Sequence, residues 1–177
     1  SFPAVYISNH ASAMDIPIGM LLPPAGAVGI AKKEVAKIPV FGWYYLISGH
    51  LLIDRSNRER AIAALNKIAQ EVKKHNLGIV MWPEGTRSKD GRLRPFKKGF
   101  AHFAIDAGLP IVPIVAHNVC KKWSKHKPIN FDPMTLQIDV LEPIDTSKWT
   151  TEKIDEHIQG VWKIFADNLS DEQKPLK

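Results

Sequence analysis

Short apolar runs alternate with stretches of helical periodicity along most of this chain. Val5–Ser8, Ala27–Ala31, Leu51–Asp54, Gly78–Trp82, Ile111–Ala116 and Leu136–Leu141 read as strands. Most are short and uniformly apolar rather than alternating, which predicts a sheet covered on both faces. The clearest helix spans about Asn57 to His75. Ser56 and Glu59 form a capping box before it, and Ile62, Leu65, Ile68, Ala69 and Val72 make one apolar stripe. A second helix, roughly Glu152–Asn168, lines up Ile154, Ile158, Val161, Trp162 and Phe165. A third, Gly99–Ala107, is stopped by Gly108 and Pro110. Strands alternating with helices predict an α/β fold, a single domain over 1–177 with a largely parallel sheet flanked by helices. The polar tail after Ser170 is expected to fray. In open sheets of this class, ligands bind beyond the carboxyl ends of the strands.

Composition narrows the partners. Net charge is +6 over 177 residues, which favours anionic ligands such as phosphorylated metabolites, acidic membrane surfaces or nucleic acid. The single Cys120 excludes an internal disulfide. No apolar run is long enough to span a bilayer, because Asp15, Pro17, Pro23 and Pro24 interrupt the longest tract, Met14 to Ala31. No basic start precedes an apolar stretch as in a signal peptide. The chain opens straight into a strand, and the expectation is that part of the natural protein lies upstream.

Three polar clusters follow predicted strands. In the first, "SNHASAMD" (8–15), His10 is a candidate general base, since imidazole titrates near neutrality. Such a base works best with a carboxylate on its far ring nitrogen, and Asp15 is the candidate. On a continuous helix, five residues would leave the two side chains ~140° apart. They can meet only if His10 lies in the loop and Asp15 at the helix start, a placement that Pro17 supports. Taken alone, the spacing favours a simpler reading, with Asp15 capping the helix. In the second cluster, "WPEGTRS" (82–88), Pro83 and Gly85 impose a turn carrying Glu84, Thr86, Arg87 and Ser88, in which an arginine fork with neighbouring hydroxyls and free backbone N–H groups suits a phosphate. Arg87, Lys89, Arg92, Arg94, Lys97 and Lys98 then face the lone acid Asp90, and an ordinary solvated loop would also account for the lysines. In the third, "LLIDR" (51–55), Arg55 either reaches the same anion or forms a surface ion pair with its neighbour Asp54.

Together the clusters resemble the ordered blocks of the glycerolipid acyltransferases: "NHASAMD", "GHLLIDR", "WPEGTRS" and "LPIVPI" (109–114). "AKKEVAKIPVFGW" (31–43) and "FKKG" (96–99) are similar to connecting sequence in the lysophosphatidic acid acyltransferase branch. The resemblance runs from about Val5 to Ile114. It implies His10 as general base with Asp15 as its orienting partner. It also implies that Arg55, Glu84, Gly85, Thr86 and Arg87, with Lys97 and Lys98 beside them, line the acceptor pocket. The implied reaction moves a fatty acyl group from acyl-CoA or acyl-carrier protein to the 2-hydroxyl of 1-acylglycerol 3-phosphate. No cofactor or metal is implied, and Ser12, Ser88 and Cys120 receive no nucleophilic role. Two positions depart from the pattern, Trp82 for the usual phenylalanine and Leu52 for an aromatic or valine. Both are expected to be packing positions. Family members commonly carry N-terminal membrane-associated helices, so the resemblance implies a membrane-associated enzyme whose active site faces the cytoplasm.

Membrane contact has its own candidates. "IPVFGWYYLI" (38–47) is either core or an interfacial aromatic patch, with core slightly favoured. "KKWSKHK" (121–127) fits an anionic lipid surface or an ordinary loop. Other acceptors within the same chemistry (glycerol 3-phosphate, another lysophospholipid, a lyso-ornithine lipid) stay open, as does a non-catalytic lipid-binding module. A binding module, however, has no need of a base. Nucleic acid is not an expected partner, because no recognition motif appears.

Overall fold

A computed structural model describes residues 3–54, 58–122 and 135–176. Six strands form one sheet: β1 (Val5–Ser8), β2 (Ala27–Lys32), β3 (Leu51–Ile53), β4 (Gly78–Met81), β5 (Ile111–Ala116) and β6 (Ile138–Val140). Their order is β3-β2-β4-β1-β5-β6, all parallel except β6, which runs antiparallel along β5. The helices are α1 (Asp15–Leu21), α2 (Phe41–Ile47), α3 (Arg58–Lys74), α4 (Gly99–Ala107), α5 (Val119–Lys122) and α6 (Ile154–Asn168). A 3-10 turn, Lys33–Lys37, precedes α2. The predicted α/β architecture with a mostly parallel sheet is the one observed. All six expected strands form within a residue or two of their predicted limits. Ser56, half of the expected capping box, lies outside the described residues.

The side-chain alternation of the central strands divides the core. Val5, Ile7, Ile79, Ile111 and Val115 point to one face, where Ala69 and Val72 of α3, Phe100 and Phe103 of α4, and Val161 and Phe165 of α6 cover them. Phe96 sits edge-on to both Phe100 and Phe165. Tyr6, Val80, Val112 and Ile114 form a smaller cluster on the other face. The topology explains the division. Parallel crossovers are right-handed, so connections leading outward from β1 to β2 and β3 lie on the face opposite those returning to β4 and β5. Accordingly Gly19 of α1 packs against Val80, and Tyr45 of α2 packs over Gly29 of β2, while α3 and α4 share the larger core.

The tail does not fray as expected. Gln173 is 3% exposed. Its side chain donates to the carbonyl of Ala116 and accepts from the backbone N–H of Asn118, while its own carbonyl accepts from Leu93 N–H. Polar composition misled here because these polar groups are satisfied by backbone rather than by water.

Candidate active site

At the exit of β1, Asn9 fastens the strand end. Its amide donates to the carbonyl of Ala116 at 2.9 Å and accepts that residue's N–H at 2.8 Å, locking β1 to the end of β5. The next residue, His10, leaves the sheet in a loop that turns into α1. Asp15, the first residue of α1, reaches back rather than forward. Its Oδ2 accepts the N–H groups of Ala11 and Ser12, each at 2.6 Å, and lies 2.9 Å from His10 Nδ1. A capping side chain would bond the N–H groups that follow it; this one bonds those that precede it. Both sequence alternatives therefore resolve in favour of the His–Asp pair, with the loop wrapped around the carboxylate.

The pairing fixes the imidazole's chemistry. A carboxylate against Nδ1 holds the proton on that nitrogen and leaves the lone pair on Nε2. Nε2 has no hydrogen-bond partner among the described residues. Asp15 is buried, and its Oδ1 meets no donor there. A carboxylate held this close attracts any positive charge that develops on His10.

The "WPEGTRS" turn at the exit of β4 holds the same loop from its main-chain side. Glu84, 2% exposed, accepts the N–H of His10 on Oε1 at 2.6 Å and that of Arg94 on Oε2 at 3.1 Å. Ser88 N–H donates to the carbonyl of His10 at 2.7 Å. Burial pushes the Glu84 carboxyl up to about 7, against the two N–H donors that pull it down; the charge of Asp15 adds to the rise. With both oxygens engaged by backbone, Glu84 ties three chain segments together; it is not among the residues lining the cavity beside this turn. Gly85 takes φ +69°, and a Cβ there would come within 3.0 Å of Lys97.

That cavity, of about 810 Å³, lies between α3 and α4 at the carboxyl ends of β2, β3 and β4. Its floor is apolar, from Ile30, Ile53, Leu65, Met81 and Phe100, and its polar lining includes Lys32, Thr86, Lys97, Lys98 and Gly85. Ile62, half exposed on the α3 stripe, belongs to the same lining, which explains an apolar residue left partly uncovered. Trp82 joins cavity to dyad: it lines the one, and its ring lies 5.2 Å from that of His10 at 32°. Its Nε1–H is buried with no acceptor among the described residues. The larger ring in place of phenylalanine fits because α1 carries glycine where it passes. A Cβ on Gly19 would stand 2.8 Å from Trp82 Cζ2.

Of the predicted site residues, His10 and Asp15 are joined directly. Gly85, Thr86, Lys97 and Lys98 line the cavity, with Lys98 also bridging to Asp155 at 2.7 Å. Arg87 is exposed and outside that lining. Arg55 lies outside the described residues, as does "KKWSKHK" beyond Lys122. Sequence reading missed Asn9, Gly19 and the contact of Trp82 with His10. The first stood in the motif beside the histidine; the other two needed the crossing of α1 over β4.

The acyltransferase family model matches residues 1–117. A 1-acyl-sn-glycerol-3-phosphate acyltransferase of Limnanthes douglasii is 43% identical over 173 residues, 98% of this chain and 61% of that protein. One of Escherichia coli K12 is 35% identical over 173 residues, 98% of this chain and 69% of that protein. The crystal structure of a 1-acyl-sn-glycerophosphate acyltransferase from Thermotoga maritima superposes with a TM-score of 0.73 at 28% identity, over 93% of this chain and 65% of that one. The chain thus spans about two thirds of the length of these relatives.

Proposed function

We propose that this chain, which belongs to the acyltransferase family, transfers a fatty acyl group from a thioester donor, acyl-CoA or acyl-carrier protein, to the 2-hydroxyl of 1-acylglycerol 3-phosphate. The observation that carries this reading is the His10–Asp15 pair at 2.9 Å, joined through Trp82 to a cavity with an apolar floor and lysines in its lining. An amphiphile with one phosphate and one alkyl chain matches that division. Relatives named as 1-acyl-sn-glycerol-3-phosphate acyltransferases support the acceptor.

His10 Nε2 takes the proton of the acceptor hydroxyl as its oxygen attacks the thioester carbonyl. Asp15 stabilises the resulting imidazolium. The tetrahedral intermediate collapses with cleavage of the C–S bond, and the imidazolium returns its proton to the departing thiolate. The products are phosphatidic acid and the free thiol, with no acyl-enzyme on the route. Consistent with this, Ser12 Oγ accepts from Met14 N–H and Ser88 Oγ donates to Asp90, so both hydroxyls are engaged in holding their own loops. Lys97, Lys98 and Thr86 are assigned to the acceptor phosphate. Glu84 is assigned to positioning the His10 loop. The enzyme works at a membrane, with this domain on the cytoplasmic side. No helix among the described residues is long and apolar enough to cross one.

The test is a transfer assay crossing lysophosphatidic acid, glycerol 3-phosphate and lysophosphatidylcholine with both donor types. Preference for lysophosphatidic acid is expected; equal rates on every acceptor would overturn that part of the assignment.

A further inference from the structure

We propose that the outer face of α2 is a docking surface that seats this domain on an anionic lipid bilayer beside its cavity; the proposal rests on the lipid-acceptor reading above. The segment Ile38–Ile47 combines two kinds of position. Tyr45 is 2% exposed, with its ring 4.6 Å from that of His50 and its hydroxyl against Gly29. His50 in turn accepts the N–H of Gly29 at 2.9 Å. Gly42 lets α2 lie directly on the 3-10 turn, since a Cβ there would collide with the carbonyl of Ala36. The helix is thus bolted down by its inner residues. Around them the apolar side chains are uncovered: Trp43 of α2 is 70% exposed and Ile47 86%, Tyr44 and Leu46 are exposed as well, and so are Ile38 and Val40 just before the helix. Six large apolar residues uncovered within ten positions exceed what scattered surface exposure accounts for. The mixture of tryptophan, tyrosine and aliphatic side chains is that of a bilayer interface.

Two further observations favour lipid as the occupant. Val40 holds φ +64°, a costly conformation for a β-branched residue, with its side chain still in solvent. Strain that displays an apolar side chain points to a functional surface. The flank of the helix is also basic. Lys32 and Lys37 stand against the single acid Glu34 in the segment leading into it, while Lys33 is paired with Asp54 at 2.6 Å; the two remaining lysines complement anionic headgroups. Lys32 is itself part of the cavity lining. The basic stretch therefore runs from the cavity to the apolar helix, the arrangement that lets an amphiphilic acceptor pass from bilayer to site.

The test uses vesicles of phosphatidylcholine alone or mixed with phosphatidylglycerol. An environment-sensitive fluorophore is placed on Ile47→Cys in a Cys120→Ser background, and in a parallel protein on Lys163→Cys of α6. Emission from position 47 is expected to brighten and shift to the blue on adding the mixed vesicles, while position 163 stays unchanged. The pair Trp43→Ser and Ile47→Ser should weaken vesicle binding at least about tenfold, and Lys37→Glu by about fivefold or more on anionic vesicles only. Circular dichroism confirms that each variant is folded. Transfer to lysophosphatidic acid dispersed as monomers should be unchanged in these variants. Absence of that activity from the unsubstituted protein would count against the proposed reaction and not against docking. An unmoved signal at position 47, or undiminished vesicle binding by the double variant, overturns the proposal. So does self-association without lipid that the double variant abolishes, which would assign the face to a second copy.

Discussion

Two loops leave the carboxyl edge of the same sheet and are built in opposite ways. The loop after β1 is tied inward. Asn9 holds the end of β5, Asp15 collects two N–H groups, and Glu84 and Ser88 fasten the main chain of His10 from the neighbouring turn. The segment after β2 is tied by Tyr45 and Gly42 and displays Ile38, Val40, Trp43, Tyr44, Leu46 and Ile47. In the first, polar groups are buried and held largely by backbone; in the second, apolar groups are exposed. Each inverts the usual distribution, and each inversion carries a cost that folding alone does not require. Chemistry and contact are thus divided between the two loops. A proton-transfer centre needs fixed geometry, whereas a surface that meets a fluid interface needs only anchored side chains.

That contrast yields a graded set of predictions. The largest effect belongs to His10→Ala, which should lower kcat by about 10²–10⁴-fold while acceptor binding, measured by calorimetry, survives. Unchanged turnover would remove His10 from the mechanism. Next is Glu84→Gln, read by denaturant titration across pH. The native carboxyl is raised to about 7 from the ordinary 4.5, so the folded state holds a proton that the unfolded chain has released. Its contribution is full below about pH 4.5 and is lost as pH rises through about 7, a difference on the order of 3 kcal/mol. The glutamine variant should show a flatter slope over that window, and an identical slope would mean that Glu84 is not buried as described. Smaller still is Gly19→Ala. Displacing Trp82 should cost about 1–3 kcal/mol, partly offset by the helical preference for alanine. With Trp82→Phe in place the same change should become neutral or stabilising, and additivity in this double-mutant cycle would break the proposed contact. The smallest effect is expected on the open face: Ile47→Ser should shift stability by no more than about 0.5 kcal/mol. A loss of several times that would mean the face is part of the packed core.

The parts of this molecule legible in its sequence are those set by local pattern. Uniformly apolar runs placed the strands, and α3, α4 and α6 followed from periodicity with their stop signals. The His10–Asp15 pair was legible as one of two readings, because spacing alone constrains where a helix starts but not which way its first side chain turns. Glu84 was expected to line the acceptor pocket on the resemblance of its turn to the family's third block. Its engagement by the N–H groups of His10 and Arg94 depends on two segments, 74 and 10 residues away, converging. The exposure of α2 was legible only as the less favoured of two readings, for the same kind of reason. Aromatic residues in a run of apolar ones read as core, and only the sheet topology, which leaves this crossover on the thinly covered face, turns most of them outward.

Catalysis by this site depends on Asp15 holding His10 with its proton on Nδ1 and its lone pair on Nε2. Long-range nitrogen–proton correlation spectra of ring-labelled histidine, assigned through His10→Gln and recorded where the imidazole is neutral, read this directly. A protonated Nδ1 and a bare Nε2 are expected for His10, with that preference lost in Asp15→Asn. A proton on Nε2 in the unsubstituted protein would contradict it.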